Sequence, residues 1–151
     1  MRSNIYLLMQ KNETCKMKKL VLMIPVSIVC WAIFVSWQTD KEAIERGRKV
    51  YNLYCLSCHG ADGKGIANLN PPLINTPGVT GNKTKLVQVI LKGMDTHEEI
   101  NGQVYTNTMA PLDYLTDQQI ADVLTYTRKS FGNKAAAITP AEVKAIRAKT
   151  K

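Results

Sequence analysis

Histidine is scarce in this 151-residue chain, with only His59 and His97, and cysteine is confined to Cys15, Cys30, Cys55 and Cys58. A structural zinc site would need two further ligands at comparable spacing beside the cysteine pair, and only His97, with no other nearby cysteine, is on offer. A disulfide framework is equally poorly served. Cys15 precedes an apolar run, Cys30 lies inside it, and only Cys55 and Cys58 are neighbours. Acidic residues are also few, 12 against 20 Lys and Arg, for a net charge of +8. The basic residues are nonetheless dispersed, with small clusters at Lys16, Lys18 and Lys19 and at the C-terminal tail, and no stripe of them interleaves with aromatics. That pattern excludes a nucleic-acid partner. There is no internal repeat and no low-complexity stretch. The length allows one modest domain with an appendage, and a domain so small gains from a large apolar cofactor that completes its core.

Charge is missing altogether from Leu20 to Trp37, LVLMIPVSIVCWAIFVSW, a run of 18 residues. That length lies between a long signal peptide and a short membrane span. Lysines before it and Asp40 and Glu42 after it orient the N-terminus inward and everything from Thr39 onward outward. Small residues of the A-x-A kind are lacking at its exit, which favours an uncleaved anchor over a removed signal peptide. Ser27-Ile28-Val29 before Cys30 is a poor lipidation site. The expected organisation is a short basic N-terminus over 1–19, in which Met17 reads as a start in its own right. A signal-anchor or signal peptide follows over 20–37, then a folded domain over 39–133 and a basic C-terminal helix or tail over 134–151. The expected location is the periplasmic side of the cytoplasmic membrane, tethered there, or soluble in the periplasm if the segment is cleaved.

Beyond the anchor the pattern is helical. Thr39 or Asp40 caps a helix carrying Ile44, Val50, Tyr51 and Tyr54 that runs into Cys55. Gly60, Gly63 and Gly65 break regular structure, and Asn70-Pro71-Pro72 starts an extended stretch with no room for a helix. Thr84 to Lys92 reads as an amphipathic helix stopped by Gly93. Asn101-Gly102 between Ile100 and Val104-Tyr105 is a two-residue hairpin signal. Thr116 with Gln119 forms a capping box for a helix carried by Ile120, Val123, Leu124, Thr127 and Phe131 to Gly132. Thr139-Pro140-Ala141-Glu142 caps a last, surface-laid helix to about Ala148.

Cys55-Leu56-Ser57-Cys58-His59 is the one motif that carries chemistry. Two thiols add to the two vinyl groups of haem and the adjacent imidazole reaches the iron, so five residues supply three bonds. A thioredoxin-like pair expects a strand before it, whereas a helix precedes this one and a glycine-rich loop follows. For the other axial position Met109 is preferred, because Pro111 fixes the turn that presents its thioether. Met94, just after Gly93, and His97, in an acidic turn, are the alternatives. A thioether opposite the histidine raises the reduction potential and closes the iron to substrate, which means electron transfer.

These residues resemble the class I cytochrome c family over about Ala43 to Asn133. Gly47, Tyr51, Cys55, Cys58, His59, Gly60, Pro71, Leu73, Met109, Pro111, Val123 and Tyr126 stand where that family's pattern wants them. The resemblance implies a small all-α fold of three to five helices around one covalent haem c and its iron, with the apolar N-terminal helix added here. It implies helices crossing at Gly47 and Tyr51 against Val123 and Tyr126. It also implies that the carbonyl of Pro71, or failing that Pro72, receives the other N–H of His59. The stretches Ala61-Asp62-Gly63-Lys64-Gly65 and Val123 to Asn133 are similar to small bacterial cytochromes that accept electrons from dehydrogenases. The expected function is therefore a tethered electron shuttle, or the cytochrome subunit of a dehydrogenase or oxidase, rather than an enzyme in itself. Its partners would be a dehydrogenase donor and an oxidase or second cytochrome as acceptor. Lys64, Lys83 and Lys85 would favour acidic partner surfaces. The competing classes are a peroxidase-like haem enzyme, for which His97 is the only free acid–base histidine, and a haem-based gas sensor, for which the chain has almost no cytoplasmic part.

Overall fold

The computed structural model describes residues 40–95 and 99–150. The segment 20–37, Cys15, Cys30 and His97 lie outside the described residues, with the readings that rest on them. No helix among the described residues is long and apolar enough to cross a membrane.

The domain is helical throughout its core. Helix α1 covers residues 40–54 and passes almost without interruption into α2, Leu56–His59, because the Cys55 N–H still bonds to the Tyr51 carbonyl at 2.8 Å. Gly60, at φ +74°, ends this run. After a turn-rich stretch come α3, Pro77–Thr80, and α4, Lys83–Lys92. The strands β1, Glu99–Ile100, and β2, Gln103–Val104, pair antiparallel, with Glu99 opposite Val104. Asn101 and Gly102 between them sit at φ +54° and +79°, as a primed hairpin turn requires. Helices α5, Asp117–Lys129, and α6, Pro140–Lys149, complete the order. The described residues thus hold six helical segments where three to five were expected, the excess being the single turns α2 and α3.

Three expectations need correction. The stretch after Pro72 does hold a helical turn, since Pro77 takes the first helical position, where its missing N–H costs nothing. Helix α5 stops at Lys129 with Ser130 as cap, and Phe131 turns out of it at φ +56°. Helix α6 is not merely laid on the surface. Its Val143 is fully buried, and Arg147 binds Asp117 at 2.7 Å and the carbonyls of Asp113 and Leu115 at the same distance.

Val50 and Tyr51 of α1, Val87 and Ile90 of α4, Ile120 and Leu124 of α5 and Val143 of α6 share one core. Helices α1 and α5 press together at Gly47, where a Cβ would lie 2.0 Å from the Asp122 carbonyl oxygen and 2.8 Å from the Tyr126 Cβ. Only a residue without a side chain permits that approach. Arg46 next to it holds the buried Asp122 carboxylate through two bonds of 2.7 and 3.0 Å. The rings of Tyr51, Tyr126 and Phe131 then stack in tilted and edge-on pairs at 5.3–5.4 Å, fixing the end of α1 that leads into Cys55.

Candidate functional site

His59 is the last residue of α2, and its Nδ1 lies 3.0 Å from the Pro71 carbonyl oxygen. A carbonyl only accepts, so Nδ1 carries the proton and Nε2 is left with the free lone pair. Burial lowers the His59 pKa, and the Pro71 bond opposes this only in part, so the ring is held neutral, the form that ligates a metal. The Tyr51 hydroxyl donates to the Gly60 carbonyl at 2.6 Å and ties the turn after His59 to α1.

Pro71 reaches His59 because the loop folds back on itself. The Gly65 N–H bonds to the His59 carbonyl at 2.9 Å, and Ile66 and Asn70 form a short bridge. At Gly65, φ +70°, a Cβ would stand 2.2 Å from the Asn70 oxygen and 2.6 Å from that of Pro71. This glycine was read only as a breaker of regular structure, yet it is what lets residues 70–71 pass so close. Asn133 adds a clamp from the far end of the domain, donating to the carbonyls of Leu73 and Thr127 at 2.8 and 2.7 Å.

Cys55 is half-buried and Cys58 exposed, and the two are not joined to each other as a disulfide. Burial, and then the neighbouring Cys58, push the Cys55 pKa up to about 11. Thiol-exchange catalysts depend on the opposite shift, a depressed pKa that yields a thiolate.

Met109 is placed by backbone contacts to the end of α4. It exchanges two hydrogen bonds with Met94, each of 2.9 Å, and Leu112 N–H bonds to the Ile90 carbonyl of α4 at 2.8 Å. At Gly93, φ +74°, a Cβ would lie 2.2 Å from the Met109 oxygen. On the other side Thr106 and Asn107 donate to the carbonyls of Asn68 and Leu69, each at 3.1 Å. The loop is therefore stitched both to the end of α4 and to the segment before Pro71.

One cavity of about 610 Å³ gathers Cys55, Cys58, His59, Pro71, Met94 and Met109. Its size falls within the roughly 300–1,000 Å³ of cofactor pockets, and its remaining lining is largely aliphatic, from Leu86, Val89, Ile90 and Leu124 among others. Of the three lysines expected to favour acidic partner surfaces, two are engaged within the chain. Lys64 pairs with Asp62 at 2.9 Å and Lys83 with Glu142 at 2.8 Å, while Lys85 lines the cavity.

The family model for cytochrome c matches residues 44–131, more than half of the chain. The chain belongs to the cytochrome c family. As a class I c-type cytochrome it carries covalently bound haem c with its iron, and it is an electron-carrying haem protein. The residues present suit that group: two thiols three positions apart, a neutral imidazole of defined tautomer and thioethers on another part of the wall of one apolar cavity. This cytochrome is 38% identical over 111 residues to the cytochrome c subunit of a quinone-dependent alcohol dehydrogenase from Gluconacetobacter polyoxogenes, a match covering 67% of the chain. It is 34% identical over 115 residues to the gluconate 2-dehydrogenase cytochrome c subunit of Pantoea cypripedii, covering 74% of the chain. It is also 34% identical over 107 residues, 68% of the chain, to the fructose dehydrogenase cytochrome subunit of Gluconobacter japonicus. The matched stretch is only 22–25% of the length of these relatives.

Proposed function

We propose that this cytochrome carries single electrons through one haem, with Cys55 and Cys58 as the two thioether attachments and His59 and Met109 as the axial ligands. When bound, haem c supplies a centre that takes up and releases one electron. The observation that carries the reading is the single cavity containing the Cys55–His59 motif, Pro71 and Met109 together. Pro71 holds the His59 proton on Nδ1 and so keeps Nε2 available for the iron. With Met109 as its second ligand the haem would favour the reduced state, and with His59 and Met109 both held to the iron no position would be left for a substrate, so the protein would act as a carrier and not as an enzyme.

The cytochrome subunits named above support a dehydrogenase as electron donor, with an oxidase or a second cytochrome as acceptor. The uncharged run 20–37 supports a tether that holds the domain on the periplasmic side of the cytoplasmic membrane. Expression of the full chain with haem maturation tests the site. One covalent haem per chain is expected, with Cys55→Ala and Cys58→Ala each leaving a single thioether bond. Met109→Leu is expected to change both the reduction potential and the haem-shifted methyl resonance of the bound methionine. If both stay as in the wild type, Met109 is not the ligand. Recovery of the chain from salt-washed membranes supports the tether, and a shortened chain in the soluble periplasmic fraction overturns it.

A further inference from the structure

We infer that Met94 is an alternate axial ligand, able to take the iron's second axial position when the Met109 thioether leaves it. The inference rests on the reading of Met109 as the resident ligand. Met94 and Met109 exchange both of their backbone hydrogen bonds, at 2.9 Å each, which makes them a directly opposed antiparallel pair. Side chains of such a pair project from the same face, with Cβ atoms roughly 5 Å apart. Both methionines line the cavity that holds His59. The methionine sulfur lies two bonds beyond Cβ on a chain with three rotatable torsions, so two thioethers starting that close together can reach one point in turn.

The backbone makes the pairing obligatory. Gly93 brings the two segments so close that a Cβ on it would sit 2.2 Å from the Met109 oxygen, so Met94 stays beside Met109 when the latter's side chain swings away. Core filling, the ordinary role of a methionine, accounts for Met94 poorly. Both methionines are half-buried, but only Met109 is among the described residues that pack on the buried cluster. Lys85 also lines the cavity, but an ammonium must lose a proton before it can ligate and a thioether need not.

The test uses full-length holoprotein labelled with methyl-¹³C methionine, as wild type, Met94→Leu, Met109→Leu and the double variant. Leucine keeps the apolar volume, so loss of packing does not imitate loss of a ligand. The readouts are the haem-shifted methyl resonance of the reduced state and the reduction potential. The expected pattern is one shifted methyl in the wild type, the same one in Met94→Leu and a new one in Met109→Leu. The double variant should show none, with a potential below either single variant. A Met109→Leu protein with no shifted methyl, beside a Met94→Leu protein that keeps the wild-type signal, overturns the inference and leaves Met109 as ligand. Loss of the wild-type signal in Met94→Leu overturns the Met109 reading itself, and so does its persistence in Met109→Leu.

Discussion

The wall of the cavity that carries Cys55, Cys58 and His59 is the end of a helix, whereas the wall that carries Met94 and Met109 is a contact between two loops. The first inherits its position from the α1–α5 crossing at Gly47, from the Tyr51, Tyr126 and Phe131 rings and from helical hydrogen bonding that continues through Cys55. The second depends on two reciprocal hydrogen bonds and on the close approach at Gly93. A covalent attachment site suits the rigid wall. On the proposed reading the loop wall presents the Met109 thioether with Met94 paired beside it. If this division is right, damage to the crossing lowers the stability of the whole domain, while damage to the loop contact changes the axial ligand before it changes the fold.

The sharpest way to break the comparison is Gly47→Ala, which places a methyl 2.0 Å from the Asp122 carbonyl oxygen, an atom of helix backbone that cannot rotate away. Helices α1 and α5 must separate, at a cost of about 3 kcal/mol. Thermal unfolding of the holoprotein followed by circular dichroism should show Tm lower by about 10–20 °C. A loss of only a degree or two would mean that the crossing does not set the position of the helix wall.

Gly93→Ala attacks the other wall. The new methyl would meet the Met109 oxygen at 2.2 Å, with the backbone at φ +74°, but here the neighbour is a loop that can yield. A cost of about 2 kcal/mol is expected. The axial methyl resonance and the potential should change while the covalent haem content stays that of the wild type. An unaltered axial signature would show that the Met94–Met109 contact does not hold the ligand in place.

The same division explains what was legible in the sequence. The helix wall is encoded locally: Cys55, Cys58 and His59 are contiguous, the helix leading into them announces itself by periodicity, and so do the capping boxes at Thr116 and Thr139. The loop wall is encoded between distant residues. Gly93 was legible as the stop of α4, but its closeness to Met109, 16 residues later in the chain, leaves no periodic trace. Gly65 hides its approach to residues 70–71 in the same way, and Asn133 gives no local sign that it reaches back to Leu73. Met94 was read only as an alternative to Met109, because its pairing with Met109 across the ribbon cannot be read from its own neighbourhood. The fate of α6 was misjudged because only Val143 and Ile146 dock it on the core, while its other positions are charged, small or the opening Pro140.

Tyr51→Phe probes the joint between the helix wall and the turn that follows it. Only the hydroxyl is lost, and with it the 2.6 Å bond to the Gly60 carbonyl, while the ring contacts with Tyr126 and Phe131 remain. The expected loss is about 1 kcal/mol, seen as a lower denaturant midpoint at unchanged slope. The axial methyl signature should not move, because the loop wall is untouched. A shift in that signature would mean that the two walls are coupled through the turn after His59.

The smallest expected effect belongs to the loop wall's remote support. Lys83, at the start of α4, bonds Glu142 of α6 at 2.8 Å, and Thr139 donates to the same carboxylate at 2.7 Å through its N–H. The Lys83 bond first, and the Thr139 backbone second, hold the Glu142 pKa below its ordinary 4.5. A carboxyl lowered on folding stabilises the fold fully above its unfolded pKa and loses that contribution as pH falls through the folded one. Stability should therefore decline from about pH 4.5 downward by a few tenths of a kcal/mol from this group, since both partners are partly exposed. Glu142→Gln should remove that part of the acid slope, and because α4 ends at Gly93 its trace should appear in the axial signature before it appears in the attachment of the haem. An acid slope equal in wild type and Glu142→Gln would show that the α4–α6 clasp adds nothing to stability, and an unmoved axial signature that it does not bear on the loop wall.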